Sequence, residues 1–180
     1  SSRMGAPKGE MEFLGRPLIE RSIDALLEAG ASEVIIVGGK PFVANTKDVR
    51  SVEDVYPGEG PLGGLITGLM NARMVQAVVL SNDLMSIDGS TIRRILDFSH
   101  QADLAIPIAG AVPQVLTALW KVSCVKVLES AFKSGSRSLK SVLTNLDVVE
   151  ILELDDAKFV NANTPSDIIE YIATLEGTIE

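Results

Sequence analysis

The sequence predicts a three-layer α/β domain built on a mostly parallel sheet. Two runs, Val34-Ile35-Ile36-Val37 and Ala77-Val78-Val79-Leu80, are continuously apolar rather than alternating, as in strands covered on both faces. Amphipathic helical stretches separate such runs, and this βαβα alternation is the pattern of helices packed on both sides of a parallel sheet. At 180 residues with 46% hydrophobic content, the chain is read as one domain, 1–180, with a single sizeable core.

Residues 17–29 form the first predicted helix. Leu18, Ile19, Ile23, Leu26 and Leu27 share a stripe, Pro17 suits the first helical position and Gly30 a left-handed cap. The strand at Val34–Val37 ends in Gly38-Gly39-Lys40, where a ligand can approach the backbone. A short helix and then a short strand near Arg50-Ser51-Val52 are expected within the ambiguous stretch that follows. Residues 53–61 are dense in chain breakers and read as a loop. Pro61 then starts a helix with Leu62, Leu65, Ile66, Leu69 and Met70 inward. Its Gly63, Gly64 and Gly68 each weaken a helix by about 1 kcal/mol relative to alanine, so either close packing or a ligand must explain them.

The second clear strand, Ala77–Leu80, delivers Ser81-Asn82-Asp83 to its C-terminal end. Asp88 caps the next helix, whose stripe is Ile92, Ile95, Leu96 and Phe98. Strands near 103–108 and 114–119 follow, then a helix from about Lys121 to Ser134 stopped by Gly135. Ser138–Leu146 reads as helix and Val148–Leu152 as strand. Thr164-Pro165-Ser166-Asp167 places an N-cap, a proline and an acidic third residue in register, ahead of a helix burying Ile168, Ile169, Ile172 and Leu175.

The composition excludes several classes. A net charge of −8 argues against broad nucleic-acid binding, which needs a basic face. No apolar run reaches the roughly 18 residues that cross a bilayer, and the polar opening lacks the apolar core of a secretory signal. The lone Cys124 cannot pair internally and reads as buried filler, consistent with a reducing, cytoplasmic setting. His100, also alone, suits a helix end or the surface. One His and one Cys exclude a Cys/His zinc site. No Gx4GK[ST] loop, GxGxxG fingerprint or GxSxG elbow is present.

The candidates for chemistry lie in loops. Ser1-Ser2-Arg3-Met4-Gly5-Ala6-Pro7-Lys8-Gly9 combines two cations with two glycines, a composition suited to wrapping an anion as well as to a solvated terminus. Asp83, ending a buried strand, is placed to hold Mg²⁺, which prefers oxygen ligands; a cap or turn role competes. Asp54 sits in the breaker-rich loop, where turn stabilisation is the alternative. Asn161 and Asn163 precede the cap at Thr164 and suit either ligand contacts or local hydrogen bonds.

In order along the chain, Ser2-Arg3-Met4-Gly5-x-x-Lys8-Gly9 and Leu14-Gly15-Arg16-Pro17-Leu18 resemble the opening of α/β nucleotidyltransferases. Glu53-Asp54 before Gly60-Pro61-Leu62-Gly63-Gly64, then Leu80-Ser81-Asn82-Asp83 and Phe159-Val160-Asn161-Ala162-Asn163-Thr164-Pro165, narrow the resemblance to the molybdenum cofactor guanylyltransferases. It implies a three-layer α/β/α Rossmann-like nucleotidyltransferase fold whose first strand, ending Leu-Ala-Gly-Gly, is missing from this sequence. It implies that Arg3, Gly5, Lys8, Asp54, Gly63 and Asp83 bind the nucleotide, with Lys8, Arg3 and Asp83 catalytic. Asp83 would also carry the metal, and Asn161 and Asn163 would face the acceptor. Two positions depart from the family pattern: Asn82, where many members have Cys, and Gln114-Val115-Leu116 in place of His-Pro-Leu.

The implied reaction is Mg²⁺-dependent transfer of GMP from GTP to the terminal phosphate of molybdopterin, with or without molybdenum, releasing pyrophosphate. The implied partners are GTP, molybdopterin and, in transient contact, other molybdenum cofactor biosynthesis proteins or acceptor enzymes, without nucleic acid or membrane. A related transferase using CTP, a phospholactate or a cobinamide phosphate remains open, as does a non-catalytic nucleotide-binding module.

Overall fold

The computed structural model describes residues 11–40 and 47–177. The chain enters through a hairpin of two two-residue strands, β1 (Glu12–Phe13) and β2 (Arg16–Pro17), turned by Leu14 and Gly15 at φ 52° and 75°. Pro17 is extended, at φ −55° and ψ 138°, and caps helix α1 (Leu18–Glu28) instead of forming its first residue. The other end is as expected. Gly30, at φ 93°, donates to the Leu27 carbonyl and Ala31 to that of Leu26, so two otherwise orphaned carbonyls are satisfied by a Schellman motif.

Strand β3 (Val34–Val37) pairs in parallel with β4 (Val49–Val52). Helix α2 (Pro61–Asn71) starts at Pro61 and leads to β5 (Gln76–Leu80). Helix α3 (Gly89–Leu96) is capped by Asp88, whose Oδ1 accepts the Thr91 N–H at 2.8 Å. His100 follows this helix, exposed and left-handed at φ 68°. Strand β6 (Leu104–Ala109) turns through Gly110 and Ala111, both at positive φ, into the edge strand β7 (Val112–Pro113). Strand β8 (Thr117–Lys121) and a 3₁₀ turn over Val122–Cys124 precede α4 (Val125–Lys133). Helix α5 (Leu139–Leu143), β9 (Val148–Ile151) and α6 (Pro165–Gly177) complete the chain.

The strand pairing is mixed rather than mostly parallel among the described residues. β3–β4 and β6–β9 are parallel, but β8 lies between β5 and β6 and runs antiparallel to both. The seven residues joining β6 to β8 are too few for the crossover of a dozen or more that parallel neighbours need. The strand expected at 114–119 accordingly starts at Thr117, because Gln114–Leu116 are spent on the turn.

Helices lie on both sides of these strands. On one side Leu62, Ile66 and Leu69 of α2 meet Leu128 of α4, Val142 of α5, and Leu104 and Trp120 of the sheet. The Trp120 Nε1–H donates to the Val115 carbonyl at 3.2 Å, so the buried indole keeps no orphan donor. On the other side Ala25 of α1 and Ile92 of α3 meet Val78 and Leu80 of β5, and Leu18 of α1 meets Ile168 of α6. Met70, expected inward, is 50% exposed, and Ile169 is 68% exposed; Tyr171 and Ile172 pack in place of Ile169. Cys124 is buried, and burial, with the nearby Asp103 charge, raises its thiol above the ordinary value.

Glu33 links the starts of the two sheets. Its Oε1 accepts the Arg73 N–H at 2.8 Å and its Oε2 meets Arg50 at 3.3 Å, while Arg50 donates to the Asn71 carbonyl at 2.6 Å. β3, β4 and β5 therefore begin at one end of the molecule and deliver their C-terminal ends to the other. Between β3 and β5 lies an apolar slot of about 640 Å³, walled by Ile23 and Leu26 of α1 and by Leu65 and Gly68 of α2. Both strands line it, which is why Ile35–Val37 and all of β5 are only half-buried despite their continuous apolar sequence.

Candidate active site

The strand ends open onto two clusters. The first is built around Asp54, just beyond β4. Its Oδ1 accepts the Tyr56 N–H at 3.0 Å, an Asx-type turn, and the Thr67 hydroxyl at 2.9 Å. Thr67 is fully buried on α2; its oxygen also lies 3.0 Å from the Gly63 carbonyl and accepts the Val55 N–H at 3.2 Å. A carboxylate in a mobile-looking Gly/Pro sequence is thus bolted to a helix. Gly38 stands beside it: a Cβ on Gly38 would lie 3.5 Å from Asp54 Cβ. Gly63 has a packing reason, because a Cβ there would come within 2.8 Å of Tyr56 Cβ. Gly64, by contrast, has open space and lines the slot.

The loop holding Asp54 is clasped from the far side. Arg137 Nε donates to Glu59 Oε2 at 2.6 Å, and its guanidinium lies 4.0 Å over the Phe132 ring. That ring in turn packs on Tyr56, 4.5 Å between centroids.

The second cluster surrounds Asp83, where β5 ends. The backbone of Asp83–Met85 is stitched to residues 160–162: Ala162 N–H donates to the Asp83 carbonyl at 2.8 Å, Met85 N–H to that of Val160 at 3.0 Å, and Leu84 bridges Asn161. The Ser81 hydroxyl donates to Asn161 Oδ1 at 3.2 Å, and Ser22 on α1 donates to the Ser81 carbonyl at 3.3 Å. Ser81, exposed Asn82 and Asp83 form one end of the slot. Asn163 is exposed and donates its N–H to Asp167 Oδ2, the acidic member of the cap on α6. That cap is reciprocal, since Thr164 N–H also donates to Asp167 Oδ2 at 2.8 Å while Thr164 Oγ1 accepts the Asp167 N–H at 3.2 Å.

The structure therefore brings Asp83 and the Asn161 segment together, and separately joins Asp54 to Gly38 and Gly63. Arg3, Gly5 and Lys8 lie outside the described residues, as does the short helix expected after Lys40. Sequence reading passed over Thr67 and Ser81. Thr67 had one signal, a hydroxyl set among the apolar positions of α2, whereas Ser81 had none beyond its place next to Asn82-Asp83.

Among the described residues, no group of three or more His, Cys, Asp and Glu side chains is arranged to hold a metal ion. A lone strand-end carboxylate does fit Mg²⁺, which keeps several waters and is completed by substrate phosphates, whereas it does not fit a structural transition metal.

Residues 1–150 match the family of MobA-like NTP transferase domains. The chain belongs to this family. This MobA-like chain is therefore an enzyme of the nucleotidyltransferase class. It is 32% identical, over 168 residues, to the molybdenum cofactor guanylyltransferase of Xanthomonas euvesicatoria, covering 92% of this chain and 85% of the relative. Among solved structures it is similar to molybdopterin-guanine dinucleotide biosynthesis protein A from Archaeoglobus fulgidus, with a TM-score of 0.75 at 20% identity over 98% of this chain and 94% of the other. It is also similar to 2-C-methyl-D-erythritol 4-phosphate cytidylyltransferase from Thermus thermophilus, with a TM-score of 0.77 at 15% identity over 96% and 95%. These two likenesses carry the nucleotidyltransferase fold. No described helix is long and apolar enough to cross a membrane.

Proposed function

We propose that this MobA-like enzyme transfers GMP from GTP to the terminal phosphate of molybdopterin and releases pyrophosphate. The observation that supports this reading best is the stitching of Asp83 to the Asn161 segment: the nucleotide-side carboxylate and the acceptor-side amide share one backbone ladder at the C-terminal end of β5. In open α/β sheets, ligands bind outside the carboxyl ends of the strands. The named relative, a molybdenum cofactor guanylyltransferase, supplies the choice of base and acceptor.

The acceptor phosphate is already ionised near neutral pH, so the protein needs no strong general base. Its work is to align the phosphate with the α-phosphorus and to stabilise charge on the departing pyrophosphate. Lys8 and Arg3 donate to the triphosphate oxygens, and Gly5 lets the backbone approach them. Asp83 would hold Mg²⁺, which when bound would neutralise phosphate charge. With Asp54 Oδ1 taken up by its two donors, contact with the nucleotide falls to Oδ2. Gly63 keeps the loop before α2 close enough for that contact, and Asn161 and Asn163 face molybdopterin.

The test is pyrophosphate release by the purified chain with Mg²⁺, molybdopterin and each nucleoside triphosphate in turn. Turnover with GTP alone supports the reading. Turnover with CTP, or only with a phospholactate or cobinamide phosphate, moves the assignment to a related transferase; GTP binding without turnover makes the chain a binding module.

A further inference from the structure

We infer that Ser81 is a positioning residue that holds the Asn161 carboxamide in place for the acceptor. A carboxamide has an acceptor oxygen and a donor NH₂ on opposite arms, nearly equal in size, and only its hydrogen-bond partners decide which arm points where. Here the Ser81 hydroxyl donates to Asn161 Oδ1 at 3.2 Å, which commits the oxygen to the protein and turns the two Nδ2 protons away from Ser81. The serine cannot drift: Ser22 on α1, itself buried, holds its carbonyl at 3.3 Å, and the flanking ladder fixes residues 83–85 against 160–162. In this orientation Asn161 offers its NH₂ as a donor. It recognises an acceptor oxygen, whether a phosphate oxygen or a ring carbonyl, and disfavours a donor group at the same place.

This rests on the guanylyltransferase reading for its substrate but not for its geometry, and the experiment separates the two. In the free protein, the Asn161 side-chain amide resonances are followed by ¹⁵N–¹H NMR, and in turnover the KM values for GTP and for molybdopterin are measured side by side. Ser81→Ala is expected to move the Asn161 NH₂ resonances toward those of a solvent-exposed asparagine. It should raise the molybdopterin KM about tenfold, the effect of losing one ordinary hydrogen bond, with the GTP KM unchanged. Ser81→Thr keeps the hydroxyl and should restore both readouts. Unmoved Asn161 resonances in Ser81→Ala, or equal rises in both KM values, overturn the assignment. If wild-type protein does not turn over molybdopterin, the substrate reading fails, and the resonances alone decide the role of Ser81.

Discussion

The Thr67 hydroxyl lies 2.9 Å from Asp54 Oδ1, and this one contact ties the loop after β4 to the interior of α2. Thr67 is fully buried and also accepts the Val55 N–H, so the loop and the carboxylate are held by the same oxygen. Thr67→Val keeps the volume but leaves both groups without that partner. The expected cost is about 2 kcal/mol in urea unfolding, with a higher KM for the nucleotide. Thr67→Ser should recover most of both.

Asp83 offers its backbone carbonyl to Ala162, so removing its side chain leaves the stitching in place. Asp83→Ala should lose about 3 kcal/mol of transition-state stabilisation, roughly two decades in kcat/KM. Lys8→Ala should lose a similar factor. Wild-type turnover in either variant would remove that residue from the proposed machinery.

Gly63 and Gly64 are neighbours with opposite expectations. A methyl at Gly63 would press on Tyr56 from 2.8 Å, so Gly63→Ala should cost about 1–3 kcal/mol. At Gly64 nothing lies within 4 Å, so Gly64→Ala should gain up to about 1 kcal/mol from helix propensity. Thermal unfolding of the two variants compares them directly.

Asp88 predicts a pH dependence. Burial by itself raises its carboxyl, but Lys158 at 2.8 Å, the Thr91 N–H and the Ser90 hydroxyl together hold it well below the usual carboxylate range. A lowered carboxyl contributes stability above its unfolded value of about 4, and this is lost as pH falls through the folded value. The Lys158 ammonium is raised, chiefly by its bond to Asp88. Its contribution is complete below about pH 10 and is lost as pH rises through the folded value. Asp88→Asn retains a good cap but not the ion pair. Its stability deficit, read by urea unfolding, should be full near pH 7 and should shrink at both extremes. Asp88→Ala should cost about 1 kcal/mol more at every pH.

Local signals were legible wherever a few neighbouring residues decide the outcome. Gly30 and Gly135 end α1 and α4 in left-handed caps, and Thr164 with Asp167 starts α6, because each motif satisfies its own backbone groups. The candidate residues at strand ends were legible for a similar reason. An apolar strand must surface at its C-terminal end, and polar residues there, such as Asp83, are candidates because open α/β sheets bind ligands outside those ends. Errors came where a distant partner decides. Met70 and Ile169 are apolar and on period, yet they stay 50% and 68% exposed among the described residues.

The sequence by itself determined most of the described helices, the caps at Gly30, Asp88, Gly135 and Thr164, the two apolar strand runs and the loops that carry Asp54, Asp83 and Asn161, since all of these follow from spacing and backbone chemistry within one element. Only the tertiary structure decided that β8 enters between β5 and β6 and makes the sheet mixed, that β3 and β5 face each other across an apolar slot, and that Thr67 and Ser81 hold the side chains of the site. Those outcomes depend on which edges and hydroxyls meet across 13 residues for Thr67 and Asp54, and across 80 for Ser81 and Asn161. Spacing along a chain carries no record of such meetings, because they are fixed by the packing of whole elements around a shared core.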